Sequence, residues 1–314
     1  MLINKEKNFI SAVIYVRNQQ SLIYDFISVI NEILNNNFEK YEIICVNDAS
    51  SDSSVKEITR YVELNQNVKR GVISIINMSF YQGLELSMNA GVDLAIGDFV
   101  YEFDSSVLSY PTDLIMELYM RSLQGYDIVS AAPTQCKSTS RAFYTIFNKI
   151  AHTQYLLRTE AFRILSRRGI NRVHSMSRTI PYRKAVYANC GLKTDVITYN
   201  SANTRVTQDK AVFNNQRETA LDAMILYTNV AWHFSMCFSL IMMAIALLTG
   251  IYTIAIYIGS RPVAGWTTTM LFLSFAISGL FMVMAIAIKY MSLILKLNFN
   301  TQKYIVESIY KINN

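Results

Sequence analysis

The sequence predicts an α/β domain built on a mainly parallel sheet, followed by a C-terminal two-helix transmembrane hairpin. Three observations carry that reading. Strand-like apolar runs alternate four times with helical patterns before residue 104, polar residues collect where those runs end, and the last third holds two long gaps free of Asp, Glu, Lys and Arg. Such alternation places helices on both faces of parallel strands, with ligands gathered beyond the strands' carboxyl ends.

The first run, Phe9 to Val16, is apolar and β-branched, and Asn18 closes it before Leu22, Phe26, Ile30, Ile33 and Leu34 recur at helical spacing. The change of period marks a strand and then a helix. Tyr41 to Val46 reads as a second strand, and the polar turn Asn47 to Ser54 leads into a helix over 55–64. A third strand over Val72 to Ile76 precedes a helix from Gly83 to Ala95, and Phe99 to Phe103 is the fourth strand. It delivers Glu102, Asp104, Ser105 and Ser106 to a strand end. Asn18, Asp48, Ser50 and Asp104 all fall at such ends; taken singly, Asp48 and Ser50 read as turn or cap residues. The stretch 142–151 shows Phe143, Ile146, Phe147 and Ile150 on one helical face, either packed on the core or lying at a membrane interface.

The 52% apolar content is concentrated toward the C-terminus. No acid, Lys or Arg lies between Asp222 and Arg261 or between Arg261 and Lys289, and each gap exceeds the roughly 20 residues that span hydrocarbon. The spans fall near 231–257 and 268–288, after a domain over 1–213 and a juxtamembrane amphipathic helix over 214–230, leaving a tail over 289–314. Only Arg261 lies between the spans, whereas Lys289, Lys296, Lys303 and Lys311 follow the second, so the positive-inside bias puts the domain and both termini in the cytoplasm. The start of the chain lacks the apolar core of a signal peptide. The formal charge of +6 suits anionic headgroups, and Arg158, Arg163, Arg167, Arg168, Arg172, Arg178, Arg183 and Lys184 face one acid, Glu160, in a single stretch that reads as a membrane-facing or phosphate-facing surface. No nucleic-acid motif accompanies it. Cys45, Cys136, Cys190 and Cys237 form no CxxC pair, which leaves disulfide and metal frameworks unsupported.

Val13 to Gln19, Val46 to Ser53 and Gly91 to Asp98 resemble the V-I-P-x-Y-N-E, V-D-D-G-S-T-D-G and A-G-L-D-x-A-x-G-D segments of family 2 glycosyltransferases. Gly125 to Val129, Ala264 to Thr268 and Tyr304 to Val306 extend the likeness to the bactoprenol glucosyltransferase and dolichyl-phosphate mannose synthase group. The resemblance implies a GT-A-type, Rossmann-like domain that binds a nucleotide-sugar donor through Val16, Asn18, Asp48 and Ser50. It also implies a Mg²⁺ or Mn²⁺ ion, a polyprenyl-phosphate acceptor, inversion at the sugar, contact with membrane lipids, and room for a homo-oligomer through the hairpins.

In that group a D-x-D pair ends the fourth strand, where two carboxylates share a divalent cation with the donor diphosphate. Here the counterpart is Asp104-Ser105-Ser106. Either Ser106 joins Asp104 at the ion, or Glu102 and Asp104, on one side of a strand, form a shifted pair. The acceptor segment, whose first Asp the resemblance implicates in catalysis, is matched by Thr153 to Glu160 and has Gln154 at that place. A sugar hydroxyl would miss that base, whereas a phosphate monoester, largely dianionic near neutral pH, attacks without one. Lys137 and Arg141 are candidates for holding the acceptor phosphate. The alternatives are a GT-A-like protein that binds nucleotide or a partner without turnover, and a transferase acting on a lipid-linked saccharide.

Overall fold

A computed structural model describes residues 5–65, 71–136, 138–150, 155–176, 182–201, 218–224, some positions within 237–248, 265–299 and 304–312. The chain divides into two units, Met1–Ala220 with Thr301–Asn314, and Leu221–Asn300. Lys137, Gln154, Arg178 and most of the first expected span lie outside the described residues.

The first unit is an eight-stranded sheet with helices on its faces. Its elements are β1 (Ile10–Val16), α1 (Ile23–Asn37), β2 (Tyr41–Asn47), α2 (Ser54–Leu64), β3 (Gly71–Met78), α3 (Leu84–Leu94), β4 (Phe99–Phe103), α4 (Asp113–Ser122), β5 (Ile128–Pro133), α5 (Ser138–Ile150), β6 (Phe162–Ser166), α6 (Arg167–Met176), α7 (Arg183–Ala188), β7 (Thr194–Tyr199) and β8 (Val306–Ile312). The strand order is β7-β5-β6-β4-β1-β2-β3-β8. The neighbours β3, β2, β1 and β4 run parallel, as the alternating sequence predicts. Every residue of β1 is buried, which is why its run is apolar without alternation: a central parallel strand is covered on both faces. Helix α1 buries Ile23, Phe26, Ile27, Ile30 and Leu34; Phe26, Ile30 and Leu34 of the expected stripe are buried, whereas Leu22 precedes the helix and Ile33 is only half-buried.

Two strands depart from the simple alternation. β6 runs antiparallel between β4 and β5 and sets Arg163 directly opposite Glu102. β8, from the segment read as a tail, pairs antiparallel with β3 and closes that edge. Gln82 fastens its start, donating from Nε2 to the Ile305 carbonyl at 2.6 Å and accepting from the Ile305 N–H at 2.9 Å. Cys190 occupies the turn after α7, where it is buried.

The basic stretch is not the single surface expected of it. Arg163 and Arg183 are almost fully buried, Arg167 donates to the carbonyls of Ala95 and Gly97, and Arg168 pairs with Asp127. On α5, Phe147 is buried and Ile146 is 48% exposed, so the expected apolar face is only partly covered.

In the second unit, Gly265–Phe299 forms one 35-residue helix containing the second expected span. Its exposed apolar side chains include Leu273, Ile277, Leu280, Phe281, Ile288 and Met291. At Gly279 it packs closely enough that an added Cβ would lie 2.4 Å from Met242. Among the described residues no helix is long and apolar enough to cross a membrane. The hairpin therefore rests on the sequence.

In the first unit, α3 meets the sheet at Gly91, where an added Cβ would lie 2.3 Å from Val13 Cγ1 and 2.8 Å from Val46 Cγ2. Both neighbours are β-branched and buried in central strands, so they have little room to give. We expect Gly91→Ala to lower the unfolding free energy by about 1–3 kcal/mol, the usual cost of overpacking a core. Denaturant melts of the full chain check this, and an unchanged midpoint would refute the close contact.

Candidate active site

The site is assembled at the carboxyl ends of β1, β2 and β4. The loops after β1 and β2 are laced together by side chains that satisfy each other's backbone. Asn18, in the left-handed region at φ 51°, donates its N–H to Ser50 Oγ at 3.1 Å and accepts the Ser51 N–H at 2.9 Å. Gln19 N–H donates to Ser54 Oγ, Gln20 N–H to Asp52, and Ser53 N–H to Gln20 Oε1. Arg17 donates to the Asp48 and Ala49 carbonyls and lies over the Tyr81 ring. Val16 is fully buried and its carbonyl accepts the Asp48 N–H.

Asp48 is also fully buried. Its carboxylate accepts the N–H groups of Gln82 at 2.8 Å and Gly83 at 2.9 Å, and the Tyr15 hydroxyl at 2.9 Å. It thus anchors the turn that opens α3, and the same Gln82 grips β8. Burial, and then the neighbouring carboxylate, push the Tyr15 hydroxyl's pKa far up, so that it stays a donor.

At the end of β4 the acids meet two arginines. Glu102, fully buried, is held by Arg163 Nη1 at 2.9 Å, by Arg183 Nη1 at 2.8 Å and by the Tyr187 hydroxyl at 2.7 Å. Asp104 accepts from Arg163 Nη2 at 2.9 Å on Oδ2 and from Arg183 Nη2 at 2.8 Å on Oδ1. Arg163 also meets Glu160 at 3.1 Å, and Arg183 meets Glu85 in the first turn of α3 at 2.8 Å. Burial raises the Asp104 pKa, but the charges of Arg163, Arg183 and Lys184 overcome it and hold the carboxyl well below the usual carboxylate range. Asp104 remains ionised at any physiological pH.

The family profile of glycosyl transferase family 2 matches residues 11–190, from the start of β1 through α7. The chain belongs to this family. Among relatives of this family 2 member, an uncharacterized glycosyltransferase of Synechocystis is 28% identical over 198 residues, 61% of this chain and 60% of that protein. A prophage bactoprenol glucosyl transferase homolog of Escherichia coli is 26% identical over 199 residues, 60% of this chain and 62% of that protein. The match thus spans about three fifths of each relative's length. Among solved structures, a mannosyltransferase of Pyrobaculum calidifontis in complex with GDP-mannose and Mn²⁺ aligns with TM-score 0.45 at 14% identity, over 89% of this chain and 88% of the other. Mannosyl-3-phosphoglycerate synthase of Rubrobacter xylanophilus aligns with TM-score 0.48 at 14% identity, over 69% of this chain and 73% of the other.

The residues of this glycosyltransferase domain fit a divalent cation at Asp104. A carboxylate offers about four lone-pair positions, and the two guanidinium bonds leave Asp104 with acceptor capacity. Its side chain is 12% exposed, while Glu102 has no exposed surface and all its contacts point inward. Glu102, the alternative metal acid, therefore sits beneath Asp104 and orients the arginines that hold it. Ser106 is 2% exposed, and its Oγ has no hydrogen-bond partner among the described residues, so the hydroxyl is left to serve something else. Glu85, Glu102, Asp104 and Glu160 together outnumber the two guanidiniums, leaving the cluster negative even with Lys184 beside it. Among the described residues no group of three or more His, Cys, Asp and Glu is arranged for a metal, so water and substrate phosphates would complete the shell.

The site predicted from sequence is therefore only partly gathered. Val16, Asn18, Asp48 and Ser50 form one laced loop pair, and Asp104 and Ser106 lie at the end of β4, which pairs with β1. Arg141, on α5, is exposed and shows no carboxylate partner among the described residues. The sequence marks Arg163 and Arg183 only as members of the basic stretch and gives no signal for Tyr187.

The Asp104 carboxyl is depressed below its unfolded value of about 3.9. Its ion pairs therefore contribute fully above about pH 4 and are lost as the pH falls below that value. We expect Asp104→Asn to flatten this acid limb of the stability profile. Arg163→Met, which leaves buried Glu102 short of a cation, should cost about 3–5 kcal/mol at pH 7. Urea melts from pH 3 to 7 check both, and an Arg163→Met protein as stable as wild type would overturn the network's structural role.

Proposed function

We propose that this protein is a membrane-anchored glycosyltransferase that moves a sugar from a nucleoside-diphosphate sugar to polyprenyl phosphate for cell-surface glycan synthesis. The observation that carries the reading is Asp104: an acid held ionised by two buried arginines, partly exposed, and beside the laced loops of β1 and β2. The relatives named bactoprenol glucosyl transferase, in Escherichia coli and Shigella phages, support the lipid-phosphate acceptor.

Asp104, with Ser106 beside it, would hold the Mg²⁺ or Mn²⁺ ion, which supplies Lewis-acid charge to the departing nucleoside diphosphate. Arg163 and Arg183 keep Asp104 in place and unprotonated, and Glu102 keeps the arginines in place. The acceptor phosphate oxygen attacks the anomeric carbon as the bond from that carbon to the diphosphate oxygen breaks, and the nucleoside diphosphate leaves with the electron pair. Attack from the opposite face inverts the sugar. A phosphate with a second pKa of about 6 arrives already deprotonated, so this step asks for no protein base.

The membrane part of the proposal rests on the charge-free gaps on either side of Arg261, with the exposed apolar side chains of Gly265–Phe299 in support. Pairing of β8 with β3 returns the chain to its first domain, so any crossing by 221–300 comes in an even number. That agrees with a hairpin whose positive flanks keep the domain and both ends in the cytoplasm.

Purified full-length protein, radiolabelled sugar nucleotides, Mn²⁺ and undecaprenyl phosphate test the transfer. We expect labelled lipid that disappears on chelation, returns with Mn²⁺, and falls by roughly 100-fold or more in Asp104→Asn, as removal of one transition-state electrostatic partner does. Intact nucleotide binding with no lipid label from any donor would instead favour a binding protein without turnover.

A further inference from the structure

We propose that a cavity between α7, the 155–160 segment and the β5–β7 edge is the seat of the acceptor's phosphate, with Lys184 and Arg158 as its cationic ligands. The cavity measures about 420 Å³, and its lining includes Arg158, Glu160, Arg163, Lys184 and Asp195. Glu160 is paired with Arg163 at 3.1 Å, and Asp195 with Arg121 at 2.5 Å, so both lining acids are already engaged. Arg158 has no carboxylate partner among the described residues, and Lys184 makes no direct salt bridge there, although Glu160 and Asp104 lie near enough to favour its charge. Lys184 is half-buried, with its ammonium 6.0 Å from the centre of the Tyr144 ring, and Arg158 is exposed at the mouth. An exposed arginine and a half-buried lysine, neither in a direct ion pair, face one concave space, and such donors suit a phosphate monoester, a dianion near neutral pH.

The surroundings select a lipid phosphate over a free one. Ile128, Leu157 and Val196 line the same cavity, and Leu156 stands 61% exposed at its edge, an apolar surface with no folded partner of its own. The wall nearest the reaction is Arg163, whose Nη2 is the group on Asp104 Oδ2 at 2.9 Å. A phosphate held by Lys184 would thus approach the donor site from the side opposite the laced nucleotide loops. This inference rests on the transferase reading for its acceptor, but it assigns residues other than Lys137 and Arg141.

The test is calorimetric titration of full-length protein in detergent with farnesyl phosphate, farnesol and inorganic phosphate, beside a nucleotide titration that reports the integrity of the fold. We expect farnesyl phosphate to bind. Lys184→Gln and Arg158→Gln should each weaken it at least about tenfold, as loss of a charge-assisted contact does. Arg158→Lys should recover part of the loss, Lys56→Gln on α2 should change nothing, and nucleotide binding should stay intact throughout. Farnesyl phosphate bound equally by wild type and both glutamine variants would overturn the site. Farnesol or inorganic phosphate bound as tightly as farnesyl phosphate would overturn the lipid-phosphate assignment. Labelled lipid formed with unchanged lipid KM in both variants would sink the cavity and leave the transferase standing. Farnesyl phosphate held through Lys184 and Arg158, with no sugar transfer from any donor, would do the reverse.

Discussion

The candidate site depends on two guanidinium groups placed among carboxylates in the protein interior. Arg163 comes from β6 and Arg183 from α7, and each reaches both Glu102 and Asp104 on β4. Taking ions out of water costs several kcal/mol apiece, and such a cluster is retained only where its geometry recovers that cost. Here the recovery comes from forked guanidinium bonds and from the Tyr187 hydroxyl on Glu102. A hydrophobic cluster could tie the same elements together, but it could not hold an ionised, partly exposed carboxylate in a fixed orientation. The network is better understood as the support of Asp104 than as a source of stability.

That view explains why β6 interrupts the parallel order. An antiparallel strand beside β4 sets Arg163 directly across from Glu102, so the pairing register itself delivers the cation to the acids. Helix α7 then closes the cluster from above, with Arg183 reaching down to Glu85 on α3 as well. Three elements, β6, α7 and α3, are thereby tied to the strand end that carries Asp104.

Much of the fold was legible in the sequence because its signals are local. β1 through β4, with the helices between them, follow from changes of hydrophobic period within windows of a few residues, and the structure reproduces them with small shifts at the ends. Asp104 was legible from the strand end and the motif around it. The partners of Asp104 were not, because Arg163 and Arg183 lie 59 and 79 residues away, and no local pattern distinguishes a buried arginine from a solvated one. The basic stretch was read as one surface because its charges were counted without the acids that other elements bring. β8 was missed for a similar reason: a short, half-polar run becomes a strand only once β3 offers it an edge.

Asp48 shows how one residue can satisfy two readings of a motif. Its polar position after β2 suits either a donor contact or a structural anchor, and the structure gives its carboxylate to two backbone N–H groups and the Tyr15 hydroxyl. A fully buried acid with these partners shapes the loop after β2 by fixing the turn into α3. Gln82 extends the arrangement, since its N–H serves Asp48 while its side-chain amide clasps the backbone of Ile305. Gln82 therefore links the C-terminal strand, more than 200 residues away in sequence, to the acid that anchors the loop after β2. A chain that leaves the domain at residue 220 and returns at 301 thus sets its returning strand against the residue whose N–H also binds Asp48.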